Sequence, residues 1–146
     1  MLPPDFVITS TLKVGVVYKI VAPELISTDE AHYFVVVAIN DSNNYMLLST
    51  TQLQNKIDYL NKRGYDLDTL AHLSPNSSNG LKKDSYFNCN DNYIITKEQL
   101  VQKVKQNNLS ISGNISKEEY EKLVYSINLS EVNDIPKFLL NFNEEH

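Results

Sequence analysis

The chain has 146 residues, 42% of them hydrophobic and 21% charged, which reads as one globular domain with a real core rather than a disordered segment. Its net charge is −5 and Arg63 is its only arginine, so it lacks the broad basic surface of stable nucleic-acid binders; any RNA contact must be local, as at Lys82-Lys83. A single cysteine, Cys89, excludes an intramolecular disulfide and a multi-cysteine metal site, and no apolar run approaches the roughly 20 residues that span a bilayer. Residues Met1 to Phe6 have neither the basic region nor the apolar stretch of a secretory signal, so a cytoplasmic protein with no membrane contact is expected.

In chain order, Pro3-Pro4 predicts an irregular lead-in over residues 1–13. Val14 to Val21 is rich in β-branched residues and reads as a strand closed by Pro23. Ala22 to Ala31 is a polar loop. Tyr33 to Ile39 is a continuous apolar run of strand length, expected to be buried on both faces. Asn40-Asp41-Ser42-Asn43-Asn44 is turn material, so Tyr45 to Ser49 is the return strand of a hairpin. Leu53, Ile57 and Leu60 recur at helical spacing within a crossing segment, Leu70 to Leu73 is a short strand, and Pro75 to Gly80 is a loop. Ser85 to Cys89 and Tyr93 to Ile95 suggest a second hairpin around Asn90-Asp91-Asn92.

After Thr96 the pattern turns helical. Thr96-Lys97-Glu98-Gln99 and Ser116-Lys117-Glu118-Glu119 are capping boxes, in which a hydroxyl and a side chain three residues on satisfy orphan N–H groups reciprocally. Behind the second, Tyr120, Leu123, Val124 and Ile127 fall on one helical face. Ser130 to Phe142 is predicted as a third helix, its regular part starting near Asp134 so that Pro136 sits in the first turn. Strands first and helices last give an α+β architecture: a small antiparallel barrel with C-terminal helices packed on it. The helical faces either cover the barrel or, through Leu129, Val132, Ile135, Leu139, Leu140 and Phe142, meet a partner.

Three places carry a family resemblance. They are Gly15-Val16-Val17-Tyr18-Lys19-Ile20; His32-Tyr33-Phe34-Val35-Val36-Val37 followed by Leu47-Leu48-Ser49-Thr50; and Asp84-Ser85-Tyr86-Phe87 running through Ile95-Thr96-Lys97-Glu98-Gln99-Leu100. Together they resemble the PemK/MazF-like toxins of toxin–antitoxin systems, which are SH3-like barrels. The resemblance implies one domain over 1–146, with a barrel-like core at 13–105 and a helical C-terminal extension at 106–146 that compact toxins lack. It also implies a cofactor-free, metal-independent endoribonuclease of a toxin–antitoxin or phage-defence locus, acting as a homodimer, with RNA as substrate and an antitoxin protein as partner. His32-Tyr33 stands where the family has Arg-Pro, the arginine being catalytic there.

Residue by residue, the implied site places His32 as acid or base and Thr50 beside it, both catalytic. Ser49, Thr51, Ser85 and Lys83 would bind substrate. Imidazole is the side chain whose ordinary pKa lies nearest neutrality, and 2′-hydroxyl attack on a phosphate needs a base, an acid and donors for the developing charge. Each residue also has a structural reading: His32 as a polar strand-start residue, the hydroxyls as turn caps, Asp84 as a turn residue, Cys89 as a buried thiol. No spacing joins His32, His72 and His146 into a metal site. The rival function is a catalytically inactive SH3-like protein-binding module, and fold alone does not separate the two.

Overall fold

The computed structural model describes residues 2–142. Seven antiparallel strands and five α-helices occur among the described residues, in the order α1 (Pro4–Thr11), β1 (Val16–Val21), α2 (Pro23–Ile26), β2 (Ala31–Asn40), β3 (Asn43–Thr50), α3 (Leu53–Arg63), β4 (Leu70–Leu73), β5 (Ser85–Asn88), β6 (Tyr93–Thr96), α4 (Lys97–Lys105), β7 (Leu109–Asn114) and α5 (Lys117–Leu129). The sheet runs β4-β5-β3-β2-β1-β7, with β6 also on β3. The α+β class stands.

The expected closed barrel does not form, because the edge strands β4 and β7 do not pair. The loop between β4 and β5 reaches β7 instead. Asn114 N donates to Ser78 O at 2.8 Å, and Asn79, fully buried, uses its amide to bind Ser74 O and Glu119. Two glycines permit this approach. A Cβ on Gly80 would lie 2.0 Å from Ser112 O, and one on Gly113 would lie 2.3 Å from Ser78 O.

The strands predicted at Val14–Val21, Tyr33–Ile39, Tyr45–Ser49 and Leu70–Leu73 all form, and the central hairpin turns at Asp41-Ser42, where Asp41 takes the left-handed φ of 54°. Side chains alternate across the pleat, so the sheet has two faces. The inner face gathers Val17, Val35, Leu47 and Phe87 under Tyr120, Leu123 and Ile127 of α5. The outer face gathers Tyr18, Ile20, Phe34 and Met46 under Ile8 of α1 and Leu100 of α4. The apolar run of β2 is buried on both faces, as its composition predicts. A bulge at Val37 frees its carbonyl, which accepts from the Tyr120 hydroxyl at 2.7 Å.

Four expectations are corrected. Residues 4–11 are helix α1, because Pro4 occupies the first turn, where its missing N–H costs nothing, and Ile8 is buried beneath it. The polar loop at 22–31 includes the one-turn helix α2, again opened by a proline. β5 and β6 form no hairpin: both pair with β3, at Ser49 and Thr50 and at Asn43 to Met46. Between them Asn88 Oδ1 accepts from Asn90 N, and Cys89 N donates to Thr69 O, so the asparagines jog the strand sideways rather than reverse it.

The fourth is the C-terminal segment. Ser130 to Phe142 is irregular with one 3-10 turn at Lys137–Leu139, not a helix. Ser130 Oγ accepts from the N–H groups of Val132 and Asn133, and Asn133 Oδ1 from that of Ile135, so side chains take the amides a helix would use. Residues 106–146 also include β7, which pairs with β1. Residues 143–146, His146 among them, lie outside the described residues. Both capping boxes form as read: Gln99 N donates to Thr96 Oγ1 and Thr96 N to Gln99 Oε1, with the same reciprocity between Ser116 and Glu119.

Candidate functional site

The pleat divides the residues singled out in sequence. Ser49 is buried and sits opposite Phe87 on the inner face. Ser85 shares that face by alternation, is 2% exposed, and donates its hydroxyl to Lys83 O at 3.0 Å. Thr51 is exposed just past the end of β3, and Lys83 is an exposed loop residue. Thr50, by contrast, looks out from the outer face opposite Tyr86 of β5, and its hydroxyl accepts from Gln52 N at 3.1 Å. Ser85 therefore uses its hydroxyl inside the fold, and Ser49 is buried on the same face, away from Thr50.

His32 lies opposite Ile20 near the start of β2, half-buried, with Nδ1 3.1 Å from Glu30 O. It shares the outer face with Thr50, since Phe34 opposes Leu48 and each residue lies two positions further on. The β2–β3 ladder ends at Phe34–Leu48, and no hydrogen bond joins His32 to Thr50 among the described residues.

The structure completes the row on the other side. Tyr86 opposes Thr50 across β5–β3 and His72 across β4–β5, so Thr50, Tyr86 and His72 form a transverse line on the outer face. His72 stacks on Tyr86 with ring centroids 4.9 Å apart at 20°. Its Nε2 lies 2.8 Å from Asp84 Oδ1. The two side chains are 44% and 58% exposed, so a ligand can reach them directly. An ionised carboxylate only accepts, so Nε2 carries the proton of this pair and Nδ1 is the basic nitrogen of the neutral ring. The result is an imidazole fixed by a carboxylate on one side and an aromatic plane on the other.

Sequence reading missed this dyad because its members lie twelve residues apart across the β4–β5 loop. The signal was available in register: a strand at Leu70–Leu73 paired with one beginning at Ser85 sets His72 against Tyr86. Strand spacing of about 4.8 Å puts His32 roughly 14 Å from His72, too far for both to serve one phosphorus. Cys89 offers no nucleophile. Burial pushes its thiol up to about 12, and Sγ contacts the Phe87 and Leu123 carbonyls.

Among the described residues no group of three or more His, Cys, Asp or Glu is placed to hold a metal ion, and no helix is long and apolar enough to cross a membrane. No protein-family model matches the chain, and no curated protein matches it.

Proposed function

We propose that the chain is a metal-independent endoribonuclease of the PemK/MazF-like toxin kind, working from the outer-face row of His72, Tyr86 and Thr50. One observation carries this reading: the His72–Asp84 pair, stacked on Tyr86 and open to solvent. In this scheme His72 takes the base role first given to His32. Its Nδ1 accepts the 2′-hydroxyl proton, the 2′-oxygen bonds to the adjacent phosphorus, and the bond to the 5′-oxygen breaks. The leaving oxygen takes a proton from the imidazolium or from water, giving a 2′,3′-cyclic phosphate and a 5′-hydroxyl. Asp84 holds the ring and stabilises the imidazolium. Thr50 donates to a non-bridging oxygen, and Tyr86 offers a surface for a base. A homodimer and an antitoxin partner belong to the same proposal.

The test is expression of wild type, His72→Ala, Asp84→Asn and His32→Ala in a bacterial host, with purified protein assayed on RNA in chelator. Wild type should arrest growth and leave cyclic-phosphate ends, while His72→Ala should lose about 10²–10⁴-fold in cleavage. His32→Ala should cleave like wild type. Cleavage unaffected by His72→Ala would overturn the assignment.

The net charge of −5 and the exposed Phe138 and Val132 favour a second reading, a catalytically inactive protein-binding module. Wild type that neither slows growth nor cuts RNA would select it.

A further inference from the structure

Helix α3 gathers three of the cations of this acidic chain, the sole arginine among them, and two of the three lie over one aromatic ring. Its eleven residues carry Lys56, Lys62 and Arg63 against a single acid, Asp58, one oxygen of which accepts from the Gln54 amide at 3.0 Å. Leu60 is fully buried and Ile57 half-buried, so the helix turns one side to the protein and the charged side to water. Tyr59 lies between the cations. The Arg63 guanidinium carbon is 4.5 Å from its ring centroid and Lys56 Nζ is 5.2 Å away. The sole arginine thus sits over an aromatic ring, and no carboxylate pairs with it among the described residues.

The helix is also set beside the candidate site. It begins at Leu53, three residues after Thr50. Tyr59 is close enough to Tyr93 to help raise its pKa, after burial and Asp91. Tyr93 opposes Met46 and meets Phe34 edge-on, both on the outer face. The N-terminal end of α3 therefore follows directly on Thr50, and Tyr59, which Lys56 and Arg63 approach, lies near Tyr93 of the outer face.

We infer that the Lys56–Tyr59–Arg63 surface of α3 is a docking strip for single-stranded RNA that leads the strand to the Thr50–Tyr86–His72 row. This rests on the ribonuclease reading for what happens next, though not for binding itself. Charge complementarity selects the occupant: phosphates meet Lys56, Lys62 and Arg63, and a base stacks against the Tyr59–Arg63 platform. A guanidinium already held over a ring has less side-chain freedom to lose on binding. Three cations on one helix supply a local basic surface without changing the acidic balance of the whole chain. Strands with unstacked bases fit such a platform, whereas a duplex hides its base faces.

The test uses the full chain and a fluorescein-labelled single-stranded RNA of about 12 nucleotides, a length within known site sizes, followed by anisotropy across a salt series. Wild type should bind, with affinity falling as salt rises. The Lys56→Ala/Arg63→Ala double variant should bind at least about tenfold more weakly, and its salt slope should shrink by about 1.4, near 0.7 for each lost phosphate contact. Arg63→Lys should keep the slope and still lose affinity, because the charge stays and the plane goes. Lys117→Ala/Lys122→Ala on α5 should match wild type. Equal affinity and slope for wild type and the α3 variant would overturn the strip, as would absence of RNA binding or equal competition by an acidic peptide. Cleavage separates the two proposals. RNA bound through α3 but never cut defeats the ribonuclease reading and leaves the strip standing. RNA cut in a His72-dependent way, with the α3 variants binding as wild type, defeats the strip alone.

Discussion

The two faces of β5 are built from neighbouring residues and do opposite things. Ser85 and Phe87 turn inward, where Phe87 is fully buried and the Ser85 hydroxyl is used on a backbone carbonyl. Tyr86, between them, turns outward to stack on His72 in water. A group whose hydrogen bonds are consumed by the fold contributes stability and has nothing left for a ligand. A group held in place by stacking and one carboxylate keeps its remaining nitrogen for chemistry. The hydroxyl cluster at the end of β3 is split by the same alternation, Ser49 inward and Thr50 outward.

The largest effect should come from the inner face. Phe87→Ala removes a fully buried ring and should cost about 3–5 kcal/mol in urea unfolding. Tyr86→Ala, one residue away, should cost about 1 kcal/mol or less, because the ring is half-exposed. Equal losses for the two would break the contrast. A mid-sized effect belongs to the cap of α5. Ser116→Ala removes half of a formed capping box and should destabilise by about 1 kcal/mol, with Ser116→Gly milder. An unchanged unfolding midpoint for Ser116→Ala would show that the tertiary contacts of α5 hold its first turn unaided.

The smallest concerns Glu24, whose carboxyl feels slight burial, which raises its pKa, while the hydrogen bond from Lys103, one from its own backbone and the Lys103 charge bring it below the ordinary glutamate value. A lowered folded-state pKa gives stability that is present above the ordinary glutamate value and lost as pH falls through the folded one. Glu24 is 55% exposed, so the pair is worth less than about 1 kcal/mol. Glu24→Gln should be slightly less stable than wild type at neutral pH and equal to it near pH 3; a gap that persists in acid would assign the loss to packing instead.

Several short-range signals were readable, although the prolines that open α1 and α2 and the side-chain bonds of Ser130 and Asn133 were not read as such. The β-branched runs of β1 and β2, the turn at Asp41-Ser42 and both capping boxes depend on residues within four positions of each other. β7 escaped because Leu109-Ser110-Ile111-Ser112-Gly113-Asn114 is brief with no buried residue, and its place is fixed by β1 and by a loop more than thirty residues away. The C-terminal segment has helical spacing, yet Asn133 binds Cys89 O at 2.7 Å and holds the chain open. For the candidate site, His32 and Thr50 were visible at strand ends. The partnership of His72 with Asp84 was not, since it arises from register across a loop.

The sequence by itself determined the α+β class, the central hairpin and the start of two helices, because periodicity, turn residues and caps act through neighbours in the chain. Only the tertiary structure decided that the sheet stays open, that β5 and β6 share one side of β3, and that Thr50, Tyr86 and His72 fall in line. Strand pairing sets which face each residue takes, and one step of register moves a side chain from solvent to core.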